Sequence, residues 1–356
     1  MARIRIGLIG CGGIARSAHL PAMQHLREQV TLVAAADVNV EAARAAAAPW
    51  GADAYADGHQ LIARKDIDVV VIATPEKAHR EWTEAAAATG RHVLCEKPMA
   101  TSVEDADAMI AACRRAGVHL MIAHSRRFTM RYMQVRRAVD RGDVGAVRLV
   151  RENERRSRAR TGETGGYYSA THWSGDPNVT VGAAILNGVH ETDLLRWFVG
   201  AEPVSVSCEH KITMEGNRGV PDFLTYTVRF ANGAIGSSEL SNCLPPGYPA
   251  FHQFELYGDR GALRAKDHDL ISITRFREGA AEFPGGYEIL LHNLPAYVRE
   301  HAAFVEAVRR DTPVPMPPED ARAALRLALA GVESGRSGRV VHLAAGSPIE
   351  GGRAQA

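Results

Sequence analysis

Short apolar runs alternate with alanine-rich amphipathic stretches through the first third of this chain, and the period of each predicts the element it forms. Ile4–Ile9, Thr31–Ala36, Val69–Ala73, His92–Leu94 and Leu120–Ala123 lack a sustained polar alternation. They read as strands covered on both faces, as in a parallel sheet. Ile14–Leu26, Val40–Ala48, His79–Ala88 and Val103–Ala116 lie between them and carry the helical period. Strand–helix alternation of this kind predicts right-handed βαβ units and a doubly wound sheet.

The pattern changes near residue 125. A helix over Met130–Arg141 leads into longer strands with polar alternation: Val147–Arg156, Val204–Thr213, Thr225–Phe230, Ala234–Ser241, His252–Tyr257 and Ile271–Phe276. Turns such as Ala231-Asn232-Gly233 and Gly258-Asp259-Arg260-Gly261 separate them, which predicts a mostly antiparallel open sheet. Helices are expected over Glu191–Val199, Ala296–Arg310 and Pro318–Gly335. The expected organisation is an α/β Rossmann domain over 1–124, a second α+β domain for substrate and assembly over 125–345, and a flexible tail over 346–356. A broad polar-alternating sheet with one face unpacked would serve a homodimer or homotetramer.

Composition narrows the function classes. With 356 residues and 46 % hydrophobic content the chain can bury a large core, and its net charge of +1 gives no footprint for nucleic acid. The densest basic run, Arg151 to Arg160, is interrupted by Glu152 and Glu154 and reads as a solvated strand face. Five cysteines form no Cys-x-x-Cys pair, so neither a disulfide scaffold nor a structural metal is expected. The chain opens directly on a strand and no stretch approaches the ~18 apolar residues of a membrane span, which predicts a cytoplasmic protein.

The first strand runs into Gly10-Cys11-Gly12-Gly13-Ile14-Ala15, a G-x-G-x-x-A turn that opens a helix. Gly10 suits the tight turn, Gly12 the close approach of a pyrophosphate, and Ala15 helix–strand packing, with Gly13 and Ile14 completing the cradle at the helix N-terminus. Asp37 ends the second strand near the ~20-residue spacing expected of an acid that binds ribose. Its competing role is to cap the helix Val40–Ala48, which Asn39 could fill instead. A carboxylate there predicts NAD. Facing a 2′-phosphate at ~4 Å it would cost on the order of 4 kcal/mol at an effective dielectric of ~20.

Lysine is scarce: only Lys65, Lys77, Lys97, Lys211 and Lys266 stand among 42 basic residues. Lys97 lies in Cys95-Glu96-Lys97-Pro98, just beyond a predicted Rossmann strand, where an ammonium is a compact donor for one hydroxyl. No Tyr-x-x-x-Lys occurs, which excludes short-chain dehydrogenase chemistry.

At these residues the chain resembles the glucose–fructose oxidoreductase/inositol dehydrogenase (Gfo/Idh/MocA) family. Gly10–Ala15, Val70–Pro75 with His79, and His92–Pro98 carry the likeness. Arg127-Phe128, Gly182, Gly188-Val189-His190, Asp193–Trp197 and Pro318–Ala321 extend it over nearly the whole chain. The resemblance implies hydride transfer between a nicotinamide and a secondary alcohol of a sugar, cyclitol or related polyol. It implies that Thr74, Pro75 and His79 line the cofactor, that Glu96 holds the loop, and that Lys97 touches the reacting hydroxyl. His190 matches the family histidine that takes the proton.

One departure stands out. Many relatives carry aspartate four residues before that histidine, where this chain has Leu186; Asn187 follows it. Arg127, Asn187 and, in the aromatic–polar loop before the motif, His172 and Trp173 are substrate candidates. The substrate itself is not readable. Two other readings stay open: NAD-assisted glycoside cleavage, and a non-catalytic NAD-dependent sugar-sensing regulator.

Overall fold

The computed structural model describes residues 2–157, 183–213, 221–244, 251–266, 274–277, 280–282 and 294–343. Six strands form the first sheet: β1 (Ile4–Ile9), β2 (Val30–Ala36), β3 (Asp53–Tyr55), β4 (Val69–Ile72), β5 (His92–Glu96) and β6 (Leu120–Ala123). All pair in parallel, in the order β3-β2-β1-β4-β5-β6. Every residue of β4 and β6 is buried, which is why these strands show no polar alternation. The helices between them are α1 (Leu20–His25), α2 (Val40–Ala47), α3 (Gly58–Ile62), α4 (His79–Ala88) and α5 (Val103–Ala116).

The expected helix over Ile14–Leu26 begins differently. Gly13 and Ile14 are already helical, but Ala15–His19 is a π-helical turn, closed by Leu20 N–H on the Ala15 carbonyl, and the regular α-helix resumes at Leu20. Pro21 explains the change: it has no N–H to return to residue 17, so the preceding turn opens to the wider pattern. Strand β3 and helix α3 were not foreseen. β3 is a three-residue edge strand with no buried position, and it leaves no periodic signal.

In the second part, α6 (Met130–Asp140), β7 (Val147–Ser157), α7 (Ala183–Leu186) and α8 (Gly188–Val199) lead into the strands of a larger sheet. These are β8 (Pro203–Lys211), β9 (Phe223–Phe230), β10 (Ile235–Leu244), β11 (Phe251–Gly258), β12 (Ala262–Lys266), β13 (Thr274–Arg277) and β14 (Ala280–Glu282). Helices α9 (Leu294–Arg310) and α10 (Pro318–Ser337) precede a short last strand, β15 (Val341–His342). The order is β14-β13-β12-β11-β7-β10-β9-β8-β15, antiparallel throughout except for β7 beside β10. A Rossmann-type parallel sheet and a second, mostly antiparallel one are thus both present, as expected. Strands β12, β14 and β15 add to the foreseen set, each too short to declare itself by alternation.

In space the chain forms two compact units, one of Met1–Met133 with Ile289–Arg322 and one of Gln134–Glu288 with Ala323–Ala356. Helix α9 thus belongs to the unit that holds the parallel sheet. Tyr297 packs with Ala18 and Ala22, Arg299 Nε donates to Phe128 O at 2.6 Å, and Arg309 Nη2 donates to Gln29 O at 2.8 Å. In the second unit α8 lies on β7 and β10. Gly236 makes room for it: an added Cβ would come within 3.2 Å of Leu195 and 3.0 Å of Phe230.

Ser334 joins α10 to β8. Its buried hydroxyl accepts from Cys208 N–H at 2.9 Å and donates to Arg339 O at 2.6 Å. Ser334→Ala leaves a buried N–H without its partner and should destabilise the protein by about 1–3 kcal/mol. Urea denaturation reads this directly, and a loss below ~0.5 kcal/mol would show that the hydroxyl is dispensable.

Candidate active site

The carboxyl ends of β1, β4 and β5 stand side by side, with Ile9 paired to Ile72 and Ile72 to Cys95. Three segments therefore leave the sheet together: Gly10–Ala15, Ala73–Pro75 and Glu96–Pro98. This is the crevice at which the strand order reverses, the place where open α/β sheets bind ligands. Gly10 has φ +90°, and an added Cβ would lie 2.6 Å from the Ala73 carbonyl, so only glycine fits. Gly12 and Gly13 are exposed, and a Cβ on either would meet nothing within 4 Å. An open, backbone-lined cradle before a helical turn is what a pyrophosphate needs. Ile14 is half-buried beside it.

Asp37 braces this loop. Its Oδ2 accepts from Cys11 N–H at 2.7 Å and its Oδ1 from Asn39 N–H at 2.8 Å. Asn39 is the cap of α2, accepting from Glu41 N–H, so the competing role for Asp37 is already filled. A carboxylate offers about four acceptor sites, and two remain for ribose hydroxyls. Val38, one residue on, is 98 % exposed. Sequence reasoning passed it over, although an apolar residue directly beyond the ribose acid was the available signal. The residues present fit a dinucleotide.

His79 is buried between two loops, with Nε2 2.9 Å from Thr74 O and Nδ1 3.0 Å from Pro98 O. Its ring clamps the segments that follow β4 and β5 and has both nitrogens on backbone carbonyls. Thr74 and Pro75 are half-buried at the first of these segments. Glu96 is 4 % exposed and accepts three hydrogen bonds. Its Oε2 takes Lys97 N–H at 2.9 Å, and its Oε1 takes His19 Nε2–H at 3.0 Å and Tyr297 O–H at 3.1 Å. Burial works to raise this carboxyl, but the His19 hydrogen bond, the charges of His19 and Lys97 and the Lys97 N–H outweigh it and hold it below the usual range. Hydrogen bonds to charged groups contribute ~1.5–3 kcal/mol each, so three of them offset a desolvation of several kcal/mol. Lys97 is half-buried and enters a cis peptide bond with Pro98.

Glu300 is the counterexample. It is fully buried in α9, and neither of its oxygens has a hydrogen-bond partner among the described residues. Burial, and then the charge on Glu96, push its carboxyl well above the ordinary value. Nothing in the sequence marked Glu300, His301, Tyr297 or His19 as belonging with Lys97.

In the second unit, His190 stands in the first turn of α8, buried, with its backbone N–H on Asn187 O at 2.9 Å. Asn187 is the N-cap residue of α8 and Leu186 ends α7, both buried. Helix α8 starts earlier than the expected Glu191, so His190 is a helical residue. Arg127 is buried in the first unit and pairs with Asp320 at 2.9 Å. His172 and Trp173 lie outside the described residues. Among the described residues, Glu152, Glu191 and His252 bring one potential metal-ligand atom each within 4.8 Å of one another. His252 Nε2 is 3.6 Å from both Glu152 and Glu154.

Comparison with known proteins agrees with this geometry. The Gfo/Idh/MocA model described as an oxidoreductase family with an NAD-binding Rossmann fold matches residues 4–124, and the family's C-terminal domain model matches 132–264. Inositol 2-dehydrogenase of Klebsiella pneumoniae is 33% identical over 277 residues, 76% of this chain and 77% of that protein. The rhizopine catabolism protein MocA of Rhizobium meliloti is 30% identical over 341 residues, 94% of this chain and 95% of its own. Among solved structures, the WlbA dehydrogenase of Bordetella pertussis in complex with NADH and UDP-GlcNAcA superposes with a TM-score of 0.80. It shares 28% identity, covering 96% of this chain and 99% of that one.

The placement of Asp37 makes the nucleotide preference testable. Asp37→Ser removes the charge and should narrow the preference of NAD over NADP at least tenfold, ~1.4 kcal/mol, by titration calorimetry. Equal affinity of the wild type for both nucleotides would overturn this role. Glu300 gives a second test. An acid whose folded value is raised binds its proton more tightly folded than unfolded, so stability is lost as pH rises from the unfolded carboxyl value toward the folded one. Glu300→Gln removes that slope. Relative to wild type the variant should gain melting temperature between pH 5 and pH 8, and parallel pH curves would contradict a neutral Glu300.

Proposed function

The chain belongs to the Gfo/Idh/MocA family of NAD-binding oxidoreductases, and from that premise we propose that it oxidises a secondary alcohol on a cyclitol, sugar or related polyol. The single observation that carries this reading is the pinned Glu96–Lys97 pair at the end of β5, with β4 between it and the strand that leads into the nucleotide cradle. Curated relatives named inositol 2-dehydrogenase support the cyclitol end of the range. The glycoside-cleaving and regulatory readings draw no support from relatives named as dehydrogenases.

In this proposal residues 1–124 bind the dinucleotide and 125–345 supply the substrate side. Gly10, Gly12, Gly13 and Ile14 hold the pyrophosphate, Asp37 the adenosine ribose, and exposed Val38 an adenine face. Thr74 and Pro75 line the nicotinamide end, and His79 positions them through its two carbonyl contacts. NAD, when bound, supplies the acceptor for the hydride that leaves carbon. Lys97 donates to the reacting oxygen and stabilises the negative charge that develops on it. His190 takes the hydroxyl proton, and Asn187 offers an amide that donates and accepts without titrating. Arg127, held by Asp320, is a candidate contact for the substrate. The working form is a cytoplasmic homodimer or homotetramer assembled through the second sheet.

The test is a panel of inositols, aldoses and other polyols with NAD, read as NADH absorbance. At least one should give turnover, and silence across the panel with intact NAD binding would remove the proposal. With an active substrate, Lys97→Ala should lower turnover roughly 10²–10⁴-fold while leaving NAD affinity within a few-fold. His190→Ala should lose most turnover and Asn187→Ala should mainly raise KM. Activity of Lys97→Ala within a few-fold of wild type would return Lys97 to an ordinary surface role.

A further inference from the structure

Behind Lys97 the first unit buries a set of ionisable groups that the proposed reaction does not use. His19 comes from the π-turn after the glycine-rich loop, and Tyr297, Glu300 and His301 come from one face of α9. His19 and His301 are both at 1 % exposure or less. His19 Nδ1 is 2.9 Å from His301 Nε2, and His19 Nε2 is 3.0 Å from Glu96. The rings of His301 and Tyr297 meet the His19 ring edge-on, at 5.2 Å each.

The hydrogen bonds assign a direction. An ionised carboxylate only accepts, so His19 Nε2 carries a proton, as do the Tyr297 hydroxyl and Lys97 N–H. His19 Nδ1 and His301 Nε2 share one hydrogen between them. His301 is held neutral, because burial and then the neighbouring His19 push its imidazole well below the usual value. Cys95 and Tyr297, which also face Glu96, are held neutral by burial. From the far side His79 reaches the Pro98 carbonyl, and His124 follows β6, the strand beside Glu96. Glu96 is thus the anion of the cluster, and its backbone tie and its charge both act on Lys97.

We propose that His19, oriented by His301, is a positioning residue for Lys97, acting through Glu96 to keep one fixed negative charge beside the lysine. The pair of histidines gives the buried carboxylate a donor that cannot rotate away, and the carboxylate in turn holds the Lys97 backbone and attracts its ammonium. Glu300 completes the arrangement by staying uncharged, which keeps the charge single. The catalytic value of this coupling rests on the reaction proposed above for Lys97, whereas the coupling itself does not.

Five lysines make the coupling visible without any substrate. The protein is labelled with ¹³C at lysine Cε, the Lys97 resonance is identified by its loss in Lys97→Arg, and its titration is followed by NMR. In Glu96→Gln and His19→Leu the Lys97 midpoint should move to lower pH, while the other four lysines keep theirs. Glu300→Gln should leave the midpoint where it is. If His19→Leu does not fold, His301→Leu, one hydrogen bond further from the carboxylate, carries the same test with a smaller shift. An unmoved Lys97 in the folded histidine variant overturns the proposal, and so does a shift in Glu300→Gln as large as in Glu96→Gln. A shifted Lys97 in a protein that oxidises no polyol removes the proposed reaction and leaves the coupling standing.

Discussion

A carboxylate taken out of water and given three donors organises the business end of this protein. Glu96 ends β5, and each of its partners belongs to a different stretch of chain: the following residue, the turn after the glycine-rich loop, and helix α9. Remove the donors and a buried charge of that kind costs several kcal/mol, enough to protonate the group or open the structure. Present together, they make ionisation the stable state and fix the geometry of everything bonded to it. Glu300 shows the converse in the same cluster, since equal burial without donors leaves a neutral acid. Two carboxyls of one chemistry acquire two charge states from the donors and charges around them.

The same device appears in milder form at the nucleotide cradle. Asp37 is only partly buried and accepts backbone N–H groups from Cys11 and Asn39, so it shapes the loop before any ligand arrives. His79 does this for the opposite wall, fastening Thr74 to Pro98. Side-chain-to-backbone bonds thus set the positions of all three segments that leave the sheet at its switch point.

How much of this was legible in the sequence follows from how local each signal is. Strands such as Val69–Ile72 announce themselves because every side chain is buried, and the helices of the parallel half carry a clear period with serine or asparagine caps at Ser102 and Asn39. Gly10 and Asp37 were readable because a fixed spacing follows from the turn that joins them. The π-turn was not, although Pro21 was there to be weighed; the helical period hides a one-residue insertion. The short strands β3, β12, β14 and β15 were missed because two to five residues cannot establish an alternation. The cluster behind Lys97 was invisible for a different reason. His19 and His301 are 282 residues apart, and no pattern within either helix requires the other.

That separation has a consequence for how the protein is made. The strands of the nucleotide half leave the ribosome well before the helix that supplies Tyr297, Glu300 and His301. At ~5–20 residues per second, the interval between synthesis of His19 and of His301 is on the order of tens of seconds. Throughout it Glu96 lacks its tyrosine donor, and His19 lacks the partner that orients it. The loop that carries Lys97 is therefore finished only once α9 has been made, so a nascent chain stalled before α9 holds a nucleotide cradle without a completed lysine site.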